Sequence, residues 1–288
     1  MIASEEPPSP AAPKMDQHLI VIEPTRNLFD LELRELWAYR ELVFFMVWRD
    51  VTTRYKQTAL GVGWALLQPL LTVVIFTLVF SHVARIQTPG IAYPLFAFTA
   101  LVPWTYFAQA VSRTGSGLVR DSNLISKVYF PRLIIPLAAA VTPLVDCALA
   151  FLMLIVLMVW FQVLPGVEAL MLPVFVLMAF AAAAAIGLWL SALNVRYRDV
   201  SHIIPFIVQV GLFASPVAYS ARLVPEQWQT LYALNPMVCV IEGFRWSLLG
   251  TAPPTPEMIS MGLLAIVLLL PTGLIYFRAT ERTFADII

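Results

Sequence analysis

Charge is scarce in this chain. Asp, Glu, Lys and Arg make up 12% of its 288 residues, and 60% are hydrophobic. A soluble globular domain carries about 25% charged residues, so the composition excludes a water-soluble fold and implies a polytopic membrane protein. The 18 basic residues balance the 18 acidic ones, and no net charge points to nucleic acid. There are two cysteines, Cys147 and Cys239, both in apolar sequence. They read as small buried hydrophobes, not as a metal site or disulfide framework. The three histidines, His18, His82 and His202, are not spaced as metal ligands. A phosphate loop is missing: Gly61-x-Gly63 and Gly115-x-Gly117 lack its lysine and strand context, so ATP is not bound by that route. No serine sits in a G-x-S-x-G turn. No internal repeat is visible, which counts against a secondary transporter. The start "EEPPSPAAP" is acidic and proline-rich with no apolar core behind it, unlike a signal peptide. Residues 1–27 are expected to form a disordered tail.

Long apolar runs are what the chain does have. A spanning helix needs about 20 mostly apolar residues. Six windows qualify: Leu60–Val83, Ile91–Ser112, Leu133–Leu164, Ala169–Val195, Ser201–Ala221 and Met258–Phe277. Pro69, Pro103, Pro143 and Pro205 fall inside them and are tolerated in spanning helices. With a cytoplasmic N-terminus, Arg49, Arg54, Lys56, Arg113, Arg120, Lys127, Arg132, Arg196, Arg198, Arg278 and Arg282 lie inside, and only Arg85, Arg222 and Arg245 outside. That asymmetry predicts two cytoplasmic termini and an even number of spans. The expected fold is therefore all-α, with six transmembrane helices over 58–288.

Two further segments are apolar without being long enough to cross. Residues 28–57 carry Leu33, Leu36, Trp37, Val43, Phe44, Val47 and Val51 at helical spacing, interrupted by Arg34, Glu35, Arg40, Glu41, Arg49 and Asp50. They read as an amphipathic helix in the cytoplasmic membrane face, or as a soluble helix packed on the bundle. Val224–Pro254 is broken by Asn235-Pro236. Each half is too short to span, which suggests a re-entrant hairpin dipping in from outside, or else an external helical loop.

Two polar features interrupt the apolar pattern. Asp146, in "PLVDCALAF", is the one ionisable group well inside a window. At mid-membrane it would cost about 2.5–3.5 kcal/mol. A structural role, pairing with another span or a partner subunit, stands beside a transport role. "DSNLISKVYFPR" (Asp121–Arg132) lies between the second and third windows. Asp121 or Ser122 can cap a short helix there and Pro131 can end it. Leu124, Ile125, Val128, Tyr129 and Phe130 then form an apolar patch rimmed by Lys127 and Arg132, as at protein interfaces.

Taken in order, "RYKQTALGVGWALLQPLL" from Arg54, "SNLISKVYFPRLIIPL" from Ser122, "ALNVRYRDV" from Ala192, "SPVAYS" from Ser215, "LNPM" from Leu234, "EGFRWSLLG" from Glu242 and "ERTFADII" from Glu281 carry a resemblance. The chain resembles the membrane subunit of ABC-2-type exporters of polysaccharides, the O-antigen, capsule and teichoic-acid permeases of the inner membrane. The resemblance implies a homodimeric channel for a lipid-linked polysaccharide. Two copies of a separate ATPase, which holds the ATP and magnesium, dock on the cytoplasmic side; this chain needs no cofactor and catalyses nothing. Ser122, Asn123, Leu124, Ile125, Lys127, Tyr129, Phe130, Pro131 and Arg132 look like its coupling helix. The helix before Tyr55 looks like a second contact, with Arg196, Arg198 and Asp199 on the same face. Trp228, Asn235, Pro236, Glu242 and Arg245 fall in the family's periplasmic gate, although Glu242 and Arg245 are also placed to pair at i,i+3. The first and fifth spans would line the path with Trp64, Phe76, Phe80, Phe206, Phe213 and Tyr219, since aromatic rings pack on the C–H faces of sugars. Three readings stay open beside this one: an ABC-2 exporter of a drug or lipid, an ion-coupled transporter, and a membrane-embedded transferase.

Overall fold

The computed structural model describes residues 33–56, 61–83, 90–125 and 127–287. The expected tail 1–27, Arg85 and the side chains of Trp64 and Arg282 lie outside the described residues. Every regular element among the described residues is helical, as hydrocarbon requires of a chain that must satisfy its own backbone. In order these are α1 (Leu33–Ala38), α2 (Arg40–Lys56), α3 (Gly61–Phe76, continued as a π-helix over Thr77–Val83), α4 (Tyr93–Arg120), α5 (Ser122–Ile125), α6 (Ile134–Val141), α7 (Pro143–Trp160), α8 (Leu172–Arg196, preceded by a 3-10 turn over Val167–Met171), α9 (Val200–Phe213), α10 (Glu226–Ala233), α11 (Pro236–Leu249) and α12 (Pro256–Ile287).

Four stretches are long and apolar enough to cross a membrane: Tyr93–Arg120, Ile134–Trp160, Val167–Arg196 and Pro256–Glu281. They match four of the six expected windows, with shifted ends. α4 runs on to Arg120, and α12 continues past Phe277 to Ile287. The window Leu133–Leu164 is broken at Thr142-Pro143, because a proline has no N–H to continue the ladder. The window Ser201–Ala221 holds a helix shorter than itself. α9 stops at Phe213 and is about 21 Å long, because Pro216 turns Ser215 away from helical geometry. Leu67–Val83 is likewise a shorter apolar helix.

α8 is the hub and packs on α4, α12, α11 and α6. Its sequence permits this: Ala181–Ala185 and Gly187 present little bulk, and small residues let membrane helices approach closely. A Cβ built on Gly187 would lie 2.6 Å from Thr114 Cγ2 of α4. On the other side Trp189 stacks on Tyr276 of α12, ring centroids 4.7 Å apart.

The apolar interior falls into two clusters. The larger includes Phe98, Trp104, Phe107, Phe175, Met178, Met237, Ile241 and Phe244. The smaller gathers Met46, Leu118, Phe130, Ile134, Ile135, Leu188, Val195, Phe277 and Phe284 where α4, α8 and α12 end. Outside these, α7 exposes Leu152, Val156 and Val159, and α12 exposes Leu263, Leu264, Val267 and Leu268. Such broad apolar faces suit hydrocarbon, not water.

Candidate functional site

The polar residues collect at two ends of the bundle. At the first, α4 hands over to α5. Asp121 N–H bonds the Gly117 carbonyl and closes α4, and Leu124 N–H bonds the Asp121 carbonyl and opens α5. The Asp121 carboxylate is engaged elsewhere, accepting from Arg49 (3.0 Å) and Arg120 (3.1 Å). α5 ends at Ile125, well before Pro131, which therefore does not terminate it. The expected apolar patch is also divided. Val128 and Tyr129 point outward, Tyr129 being 71% exposed, whereas Phe130 is 5% exposed inside the smaller cluster. Leu124 and Ile125 pack against that cluster too. Ser122, Leu124, Ile125, Pro131 and Arg132 are half-buried, and Asn123 and Lys127 are exposed. Arg132 donates to the carbonyl of Glu281 and lies over the Phe284 ring. The residues after α5 are thus held by the end of α12.

α2 lies along the last turns of α4 by an ion network. Asp50 accepts from Arg49 (2.9 Å) and Arg120 (3.3 Å), and Arg113 lies 3.8 Å away. Further along, Arg54 donates to Gln109 (3.1 Å) and to Asp146, and Tyr55 donates to Asp146. Burial, then the bond to Asp146, pushes the Tyr55 phenol up to about 12. Burial opposes the charge of Arg49, but Asp50 and Asp121 outweigh it and raise its pKa. The amphipathic stripe expected for this segment is split between two faces. Leu36, Val43, Met46 and Val47 pack inward, while Trp37, Phe44, Phe45 and Trp48 are exposed. Arg196, the last residue of α8, and Arg198 and Asp199 beyond it are exposed, Arg196 lying over Tyr197.

At the other end lies the broken segment. Asn235 caps α11 by accepting from Met237 N–H (3.0 Å), Pro236 occupies the first turn, and Gly250 closes the helix in the left-handed region (φ 65°). Proline just inside the start and glycine just past the end is the common punctuation of a helix. The Asn235 amide also donates to Ser215 Oγ (2.9 Å) and the Ala214 carbonyl. Trp228 is exposed on α10. Arg245 is completely buried and pairs with Glu242 at 3.2 Å. It also donates to the carbonyls of Val217 (2.9 Å) and Tyr219 (3.0 Å), while Glu242 accepts from Ala221 N–H (2.8 Å). The i,i+3 pair is present, and its remaining capacity serves the 217–221 loop.

The aromatic candidates do not form one wall. Phe76 and Phe80 meet edge to face at 5.3 Å and pack near Tyr93 and Phe96. Phe206 and Phe213 are exposed along α9. Tyr219 bonds the Phe213 carbonyl and the Tyr232 hydroxyl. Among the described residues no three His, Cys, Asp or Glu group as metal ligands.

Sequence reasoning had Asp146 but missed its donors. The signal was available in "RYK" at the end of α2, where two donors adjoin on a segment whose other face is apolar.

Residues 41–249 match the ABC-2 type transporter family. The span runs from the start of α2 to the end of α11, so it takes in both polar ends just described. The chain is 30% identical over 257 residues to the O-antigen export system permease protein RfbA of Myxococcus xanthus, covering 88% of this chain and 98% of that one. It is 26% identical to the protein of the same name from Klebsiella pneumoniae, over 86% and 95% of the two chains. With the polysialic acid transport protein KpsM of Escherichia coli it shares 22% identity over 81% and 91%. The chain therefore belongs to the ABC-2 type transporter family, as a membrane transport subunit rather than an enzyme.

Proposed function

We propose that this chain is the channel-forming permease subunit of an ATP-driven exporter that moves a lipid-linked polysaccharide of O-antigen type across the cytoplasmic membrane. The observation that carries the reading is the near end-to-end similarity to permeases whose names specify O-antigen and polysialic acid export. In this reading two copies form the path and two copies of an ATPase subunit sit beneath them. Six spans cross: residues 61–83, α4, α6 with α7, α8, α9 with the turn after it, and α12. Both termini are cytoplasmic and α10–α11 enter from the outside as the gate hairpin. The charge asymmetry supports this orientation. Buried Arg245 is spent on Glu242 and backbone carbonyls, leaving only Arg85 and Arg222 as outer basic residues against the larger inner set.

Work enters at α5 and the residues after it. Nucleotide binding closes the ATPase pair, and the rigid-body movement is handed to the spans. The exposed Tyr129 and Val128 are the groups that enter the ATPase, with Lys127, Asn123 and the Arg196–Asp199 loop around them. The exposed aromatic rings of α9, joined by Phe76, Phe80 and Tyr219, offer the sugar chain its stacking surface.

Purification of the tagged protein from native membranes in mild detergent tests this. A phosphate-loop ATPase at equal stoichiometry, with lipid-linked glycan accumulating inside cells that lack this chain, is the expected result. A stable protein with no ATPase partner overturns the reading.

A further inference from the structure

Asp146 is the polar group that the transport reading leaves unused. It stands in the first turn of α7, just beyond the Thr142-Pro143 break. Pro143 has no N–H to give the Ala139 carbonyl, and Tyr106 donates to the neighbouring Ala140 carbonyl (3.2 Å). A break of this kind is a natural pivot between α6 and α7. α2 spans it. Below the break, Met46 shares the smaller cluster with Ile134 and Ile135 of α6. Above it, Arg54 and Tyr55 donate to Asp146. The far end of this grip is the contact of Arg49 with Asp121 (3.0 Å). Asp121 and Gln109, which also accepts from Arg54, are about 18 Å apart along α4. α2 is therefore pinned near the start of α5 and again deep along the bundle. The Asp146 side chain is only 12% exposed, and a carboxylate so placed is retained only where donors meet it.

We propose that Asp146 is a positioning residue: it fastens the deep end of α2 to α7 across the Thr142-Pro143 break, so that α2, α6 and α7 move as one body. Movement delivered to α2 and α5 then reaches the third span instead of being absorbed at the break. The coupling consequence rests on the proposed export function; the mechanical one does not.

The test has two arms. In the first, Cys147 and Cys239 are replaced by Ala, and spin labels are placed at Trp48 of α2 and Ile155 of α7, both exposed. The distance distribution is narrow in the parent protein and broadens in D146N. In the second, ATP hydrolysis and export are measured on the same complex. D146N keeps hydrolysis and loses roughly tenfold in export, the size of a typical coupling between sites. The exchanged pair R54D with D146R restores export. An unchanged distribution in D146N overturns the proposal, as does loss of hydrolysis and export together with no recovery in the exchanged pair. If D146N does not fold, R54Q removes a donor from the exposed side, and an unchanged distribution there is equally fatal. A chain that purifies without an ATPase removes the second arm and the proposed function with it, while the first arm still decides the pin.

Discussion

Adjacent residues just before α6 have opposite fates. Tyr129 faces outward and Phe130 is buried in the cluster that holds Phe277 and Phe284. Phe130→Ala is expected to cost about 3–5 kcal/mol as a core truncation, and to lower the unfolding temperature of the detergent-solubilised protein. Tyr129→Ala is expected to leave that temperature unchanged and to reduce export relative to ATP hydrolysis. Normal coupling in Tyr129→Ala would remove it from the ATPase contact. Arg245 is the other decisive residue. Its loss leaves Glu242 buried without its cation and removes the guanidinium from the carbonyls of Val217 and Tyr219. Breaking a buried pair in this way costs about 3–5 kcal/mol. Thermal unfolding should show Arg245→Ala among the most damaging single changes, far beyond Lys127→Ala at an exposed site.

At the scale of elements, the α4–α8 crossing depends on absent side chains. Gly187→Val would drive a branched side chain into Thr114, since even a Cβ lies 2.6 Å from its methyl group. Overpacking of this kind costs about 1–3 kcal/mol, and here it also separates two helices that carry much of the larger cluster. Size-exclusion profiles and thermal unfolding should show a less stable protein. Gly63→Val, where nothing lies within 4 Å of a built Cβ, should behave as the parent. α11 illustrates the reverse case, a helix placed by its ends. Asn235, Pro236 and Gly250 set its limits, and Asn235 also ties it to Ser215.

Across the whole molecule, apolar exposure falls on more than one face. α9 exposes Phe206 (66%) and Phe213 (63%), while α7 exposes Leu152 and Val156. Single cysteines at the two α9 positions are expected to react with a polar thiol reagent in the assembled transporter, and those at the α7 positions to be protected. Phe76 and Phe80, partly covered by Tyr93 and Phe96, should react more slowly than the α9 pair. Equal protection at all positions would place the α9 face in lipid and remove it from the sugar path.

The membrane class, four of the spans and the break at Asn235-Pro236 were legible in the sequence, because each depends on local quantities: the scarcity of charge, the length of an apolar run, a proline. The capping role of Asn235 and the closing role of Gly250 came only with the structure. The pairing of Glu242 with Arg245 was legible for the same reason, since i,i+3 spacing brings the two side chains together on any helix. What separates Phe130 from Tyr129 is not local. Both are aromatic and adjacent, and only the meeting of α2, α4, α8 and α12 in the smaller cluster buries one of them. The two faces of α2 were hidden likewise, because Trp37 and Val43 read as one apolar stripe until the bundle covers only Leu36, Val43, Met46 and Val47. Asp146 shows the division most plainly. Its sequence marked it as an expensive charge in an apolar run, but its donors lie 92 and 91 residues away. Long-range contacts of that kind are decided by packing, which determines which distant side chains are near enough to share a proton.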